Sequence, residues 1–264
     1  MISDFFLALL LALIQGLTEF LPVSSSAHLL FPSLLFGAKD FGIVFDISVH
    51  AGTLAAVIYY FKKELLELIR AWMPWTQSRN KESFLLGLNL IVATLPIVLV
   101  GLIASDFAES RSTNIDSIAW ANLIFAGLLY AAFKSSRQSK SLAELTLFAA
   151  LIIGCFQALA IFPGASRSGM AITGALIIGL NIKDTSRFAF LLSIPTILGA
   201  LVLMVAKGAY PISLSDMLVI ITGFIGSAFI AFITIKSFLQ FVEKIGMTPF
   251  VIYRVALGAL LLLI

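Results

Sequence analysis

The stretch Ile161–Gly169, IFPGASRSG, decides how this chain folds. It interrupts an otherwise continuous apolar run, with AELTLFAALIIGCFQALA before it and MAITGALIIGL after it. Pro163 removes a backbone donor and stops a helix, and Gly164 permits turns and close approach closed to other residues. Ser166, Arg167 and Ser168 are polar groups that an apolar environment penalises unless they line a cavity or find partners. The reading that reconciles these features is a helix broken inside a membrane, with its polar break facing protein or water.

The surroundings agree. The chain has 264 residues, of which 60% are hydrophobic and 12% charged, whereas a soluble domain of this size is about a quarter charged. The fold class is therefore an all-α polytopic membrane protein, a single integral membrane domain over 1–264. No nucleic-acid partner is expected, and one cysteine, Cys155, excludes a disulfide framework. The N-terminal MISDFFLALLLALIQG carries no Lys or Arg ahead of its apolar run. It lacks the basic start of a cleaved signal peptide and is expected to remain as structure.

A second break matches the first. QGLTEFLPVSSSAH, Gln15–His28, also places proline and serines between apolar segments. With one gap, Gln15 aligns with Gln157, Phe20 with Phe162, Pro22 with Pro163 and Ser25 with Ser166. Each break divides a pair of segments, 5–20 with 25–36 and 143–162 with 167–180, and three longer apolar segments follow each pair. Those six, at 43–61, 84–104, 118–134, 187–206, 215–236 and 248–264, are expected to cross the bilayer. The expected architecture is six transmembrane helices plus two re-entrant helix pairs, with repeat 1 over about 1–134 and repeat 2 over about 143–264. Three spans per copy is an odd number, so the second copy is inverted relative to the first, and such repeats place a shared site near the midplane.

Charge orients this arrangement. Twelve basic residues fall in the segments 62–83, 134–142, 181–187 and 236–247, against Lys39, Arg111 and Lys207 on the other side, where 105–117 is acidic. The basic side is expected to be cytoplasmic. Both termini then lie outside, and the two breaks enter from opposite faces and meet within the membrane.

Two of the seventeen basic residues remain, Arg167 and Arg254, and Glu19 alone among the acids lies well inside an apolar run. An isolated arginine at that depth costs on the order of 3 kcal/mol or more. Gln15 and Glu19 share a helical face. Ser24, Ser25 and Ser26 open the following half-helix, with His28 in its first turn, and Ser166, Arg167 and Ser168 open the other, beside Gly164. Amide donors at two helix starts, hydroxyls, a guanidinium and a carboxylate suit a phosphate or diphosphate better than a neutral solute. Each residue also has a plainer reading: serines and prolines for tight packing, Arg167 as a structural partner of Glu19, His28 as a packed histidine. It is their joint occurrence at equivalent breaks that favours a site. His50, in DISVHAGT, has no counterpart in the second copy and is expected to serve packing or hydrogen bonding. Arg254, in IYRVALG, is expected to stabilise the last helix or a subunit contact. GASRS is a near miss for a Gly-x-Ser-x-Gly nucleophile elbow, but its fifth residue is Ser168 and no α/β-hydrolase sheet accompanies it.

The two breaks resemble the signatures of the undecaprenyl-diphosphate phosphatase family, also called bacitracin-resistance proteins. That family carries Glu/Gln-x-x-x-Glu followed by Pro-x-Ser-Ser-x-x-His, here QGLTEFLPVSSSAH, and Pro-Gly-x-Ser-Arg-Ser-Gly, here PGASRSG. FDISVHAGTLAAVIYYF, RFAFLLSIPTILGALVL and IYRVALG extend the resemblance over essentially the whole chain. It implies hydrolysis of a C55 polyprenyl diphosphate lipid to the monophosphate and inorganic phosphate, recycling the carrier for peptidoglycan synthesis and conferring bacitracin resistance. It further implies a divalent cation, Mg²⁺ or Ca²⁺, and a bacterial inner-membrane location with the active site facing the periplasm. Monomer and homodimer both stay open. Carried over by position, Glu19, Ser25, His28 and Arg167 are catalytic candidates. Gln15, Ser24, Ser26, Gly164, Ser166 and Ser168 are substrate-binding candidates, and Glu19 is the metal anchor. Gln15 departs from the glutamate of many members, which weakens a two-carboxylate metal site. Ser25 and His28 are alternative nucleophiles. A phosphate or polyprenyl-phosphate carrier would use the same anion nests and is the competing function.

Overall fold

The computed structural model describes residues 2–73, 80–104, 115–206, 208 and 214–263. The expected outer segment 105–117 with Arg111, and likewise Arg79 and Lys207, lie wholly or mostly outside these residues. In chain order the helices are α1 Ile2–Thr18, α2 Ser25–Phe36, α3 Ile43–Tyr60, α4 Lys62–Trp72, α5 Lys81–Ile103 and α6 Ile115–Ser135. They continue with α7 Leu147–Ala158, α8 Arg167–Ile178, α9 Ile182–Ala206, α10 Leu214–Ile245 and α11 Thr248–Leu261.

Five of these, α3, α5, α6, α9 and α10, are long and apolar enough to cross a membrane. The sixth expected span, 248–264, forms the shorter α11 of 14 residues. The segment 62–83, expected as a connecting loop, contains α4, whose charged face carries Lys62, Lys63, Glu64, Glu67 and Arg70. Lysine and glutamate are good helix formers, and Trp72 stacks on Phe84 of α5 at 4.8 Å between centroids, so this stretch folds back as an amphipathic helix. Arg187 at the start of α9 meets the Glu64 carboxylate at 2.7 Å and ties α4 to the second half.

Lipid gives no hydrophobic drive for one helix to associate with another, so close packing and hydrogen bonds hold the bundle. On α3 a Cβ added at Gly52 would lie 2.3 Å from the Phe224 carbonyl of α10, so no larger residue fits. Ser227 and Ser48 cross the same interface, donating to the carbonyls of Val49 at 2.9 Å and Ile220 at 2.6 Å. The α5–α7 contact repeats the device: Gly154 lies against the Ala93 carbonyl, 2.4 Å from an added Cβ. Below it, Asn89 donates to the carbonyl of Leu145 at 2.9 Å. The largest buried cluster draws on both halves, from Phe20 and Val57 through Leu129 and Ile153 to Phe190 and Ile235. Backbones drawn this close fix the two breaks, Thr18–Ser25 and Ala158–Arg167, in the interior.

Candidate active site

Both breaks end in the same unusual way. Ser24 precedes α2 with φ 72° and Ser166 precedes α8 with φ 70°, left-handed values that non-glycine residues seldom adopt. Ser24 Oγ then lies 3.4 Å from Ser26 Oγ, and Ser166 Oγ lies 3.3 Å from Ser168 Oγ. These features pair Ser24 with Ser166, Ser25 with Arg167 and Ser26 with Ser168. The gap drawn from the prolines, which set Ser25 against Ser166, is therefore removed. What the two breaks share is the strained serine before the helix, and Pro22 stands opposite Gly164.

The breaks are fastened to each other. Arg254 of α11 is fully buried and donates to the carbonyls of Pro22 at 3.4 Å and Gly164 at 2.8 Å. Ser168 donates to the carbonyl of Leu21 at 2.8 Å. Gly164 sits at φ 93° with an added Cβ only 2.8 Å from the Ile118 carbonyl, so glycine is required twice over. Arg254 thus holds the two halves together, a role that the expectation of a last-helix or subunit contact did not foresee.

Glu19, whose side chain is 2% exposed, forms an ion pair with Arg167. Its Oε2 also accepts from Ser25 Oγ at 2.6 Å and from Gln15 Nε2 at 2.8 Å. Arg167 opens α8 and Ser25 opens α2, so both helix N-termini, with their free amides, converge on this cluster. Ser166 caps its helix by accepting from Gly169 N at 3.1 Å.

In front of the cluster lies a chamber of about 470 Å³ lined by Ser24, Ser25, Ser26, His50, Ser166 and Arg167, with apolar walls from α5 and α9. Glu19, Gln15, Gly164, Ser168 and His28 are buried behind this surface. His28 turns away from Glu19: its Nδ1 donates to the Ser24 carbonyl at 2.7 Å and its Nε2 meets the Tyr253 hydroxyl at 2.6 Å, with the two rings stacked. The histidine beside the carboxylate is His50, expected to serve packing or hydrogen bonding rather than the site. Its Nδ1 donates to the Asp46 carbonyl at 2.8 Å, which aims Nε2 at Glu19 Oε2, 3.7 Å away. A histidine early in a span was the available signal, since its bond to Asp46 uses a main-chain carbonyl that any residue offers. Tyr253 had none.

Among the described residues no three His, Cys, Asp or Glu side chains cluster as a metal site. The donors around Glu19 are nonetheless oxygen-rich: its carboxylate, the Ser25 hydroxyl and Gln15 Oε1, which is buried without a hydrogen-bond partner. Such a set fits a hard cation that takes its remaining ligands from a phosphate, and suits neither zinc nor copper.

A carboxylate paired with a guanidinium, a hydroxyl directed onto that carboxylate, and two helix N-termini facing one chamber can bind and attack a phosphoryl group. Sequence relationships point the same way. A family model described as bacitracin resistance protein BacA matches residues 8–260. An undecaprenyl-diphosphatase of Saccharophagus degradans is 46% identical over 258 residues, covering 97% of this chain and 96% of the relative. Undecaprenyl-diphosphatases of Alcanivorax borkumensis and Teredinibacter turnerae are each 45% identical, covering 98% of both chains in either comparison. With its signature breaks joined in one chamber and its length matched almost end to end, the chain belongs to the bacitracin resistance protein BacA family.

Proposed function

We propose that this protein is an integral membrane phosphatase that hydrolyses undecaprenyl diphosphate to undecaprenyl phosphate and inorganic phosphate. The observation that carries the reading is the Ser25–Glu19–Arg167 cluster at the chamber floor, where a nucleophile, its proton acceptor and an anion clamp adjoin.

Arg167 and the amides opening α2 and α8 bind the terminal phosphoryl group and stabilise the charge that develops on it. Ser25 Oγ attacks that phosphorus while Glu19, 2.6 Å away, takes the hydroxyl proton. The bond to the bridging oxygen breaks, and its electron pair leaves with the polyprenyl monophosphate. Water then attacks the phosphoserine, losing its proton to His50; the bond from Ser25 Oγ to phosphorus breaks, Oγ takes back the proton held by Glu19, and phosphate departs. Ser25 is favoured over His28 because both ring nitrogens of His28 are engaged, by Ser24 and Tyr253. Mg²⁺ or Ca²⁺ would be held by Glu19 with Gln15 Oε1 and would neutralise part of the diphosphate charge.

The single domain is an inverted repeat, residues about 1–134 and 143–264, with re-entrant pairs α1–α2 and α7–α8. Helix pairing supports this: α1 and α3 pack on α10 as α7 and α9 pack on α5, while α6 pairs with its counterpart α11. The chamber opens to the periplasm from a bacterial inner membrane. It is lined by the start of α3 and the ends of α5 and α9, whereas Lys62, Lys81, Lys183 and Arg187 mark their opposite ends. A basic face of this kind is cytoplasmic.

Purified protein in detergent, given undecaprenyl diphosphate with and without chelator, tests the function. Phosphate release needs no second compartment, so hydrolysis there separates a phosphatase from a carrier, and its absence refutes the phosphatase.

A further inference from the structure

We propose that the polyprenyl chain of the substrate leaves the chamber sideways, through a cleft between α5 and α9 that Gly101 and Gly199 keep open. The inference rests on the phosphatase reading and names the part of the site that receives the lipid.

The chamber is polar at the breaks and along the α2–α3 connection and the start of α3, with Lys39, Asp40, Asp46 and His50, and apolar where α5 and α9 line it. From Ser25 and Arg167 it continues between two apolar walls, Ile97, Val98 and Leu102 on α5 and Ala200, Leu203 and Met204 on α9. Val98, Leu102, Gly199 and Ala200 line the chamber, whereas their neighbours Leu99, Ile103, Leu198 and Val202 are exposed without lining it. Chamber-lining and outward-facing residues alternate within one helix turn, which puts the edge of the chamber at the surface of two helices long enough to span the bilayer. About 470 Å³ is the size of a pocket for a small ligand. It takes a diphosphate and the first isoprene units of a C55 chain, and the remainder has to run into the hydrocarbon.

Gly101 and Gly199 both line this opening, and a Cβ added at either meets nothing within 4 Å. Neither is required by tight packing, unlike Gly52 or Gly154, whose added Cβ atoms would strike backbone. Neither has the positive φ that reserves a position for glycine. Each wall helix also carries a proline directly before its lining residues, Pro96 and Pro195. Proline removes a helical hydrogen bond and bends the helix there, which suits a slot that widens toward the chamber. A second apolar groove, lined by Phe6, Leu10, Leu13 and Ile230, is bordered by α1 and α10 only and includes none of the break residues. It competes as a lipid track without reaching the phosphate site.

The test replaces both glycines by leucine, G101L/G199L, and compares phosphate release from undecaprenyl diphosphate and from a C5 isoprenyl diphosphate. The expected result is a fall of about tenfold or more in kcat/KM for the C55 substrate, with a change within about twofold for the C5 compound. Equal losses on both substrates, or no loss on either, overturn the cleft. Labelling of the wild-type protein with a photoreactive polyprenyl monophosphate needs no turnover and reads the path separately. Adducts on Leu102 and Leu203 support the cleft even where hydrolysis fails, which would leave the phosphatase reading alone at fault. Adducts on Phe6, Leu13 or Ile230 overturn it.

Discussion

The Arg167 guanidinium is paired with the Glu19 carboxylate, although 148 positions separate them in the chain. Each comes from a different break, and the buried Glu19 charge would be costly without its counter-charge. Glu19 is 2% exposed and Arg167 is 21% exposed at the side chain, so the pair is shielded on one flank and open to the chamber on the other. That asymmetry lets Arg167 turn donors toward an incoming phosphate while Glu19 stays fixed by Gln15 and Ser25.

Removing either charge should therefore affect both function and stability. Arg167→Ala leaves Glu19 buried without its counter-charge, at a cost of about 3–5 kcal/mol, and should lower kcat by about a thousandfold. Phosphate release and thermal denaturation in detergent measure the two effects. Near-wild-type turnover in Arg167→Ala or Glu19→Ala would contradict the roles assigned to them.

Ser25→Ala and His28→Ala should separate the two nucleophile candidates. The serine variant is expected to lose phosphatase activity by a factor of about a thousand or more, and the histidine variant by about tenfold, through the lost Tyr253 contact. The reverse order, with an acid-labile phosphoenzyme trapped on the protein, would make His28 the nucleophile.

His50 should matter through what it offers Glu19. His50→Ala is expected to lower kcat about tenfold, and His50→Gln, which keeps an N–H donor for the carboxylate, by less. Equal loss in both variants would mean that the ring is needed for proton transfer, and no loss in either would return His50 to packing.

The fold was legible in the sequence where one local feature sufficed. Proline and serines inside apolar runs marked both breaks, with arginine at the second, and apolar length marked the five long helices. Aligning Pro22 with Pro163 sets the register of the breaks one position off, because the repeated element is a left-handed serine, a backbone state that no residue type announces. The sixth span shortened to α11, and α4 emerged from a stretch whose charges read as loop. His50, Tyr253 and the clamp by Arg254 depend on partners far away in the chain: Tyr253 lies 225 positions from His28, and Arg254 lies 232 from Pro22. Periodicity does not reach that far.

Arg254 should be a stability residue with a catalytic consequence. Arg254→Met strips two carbonyls, those of Pro22 and Gly164, of a charged donor while keeping most of the volume. A loss of about 3 kcal/mol is expected, with a lower melting temperature and reduced kcat as the breaks drift apart. Unchanged stability would show that the clamp holds nothing.

Cation dependence should respond to Gln15. Chelator is expected to suppress turnover, and Gln15→Glu, adding a second carboxylate beside Glu19, should lower the cation concentration needed for half-maximal activity. A chelator-insensitive enzyme, or a dead Gln15→Glu variant, would exclude the oxygen-ligated cation.

A double-mutant cycle on kcat is the most direct measurement, with Glu19→Gln, Arg167→Gln and the two combined in purified protein hydrolysing undecaprenyl diphosphate. If residues from the two breaks work as one unit, the combined variant should be scarcely slower than the worse single one. Losses that multiply, as for independent sites, would contradict a shared chamber.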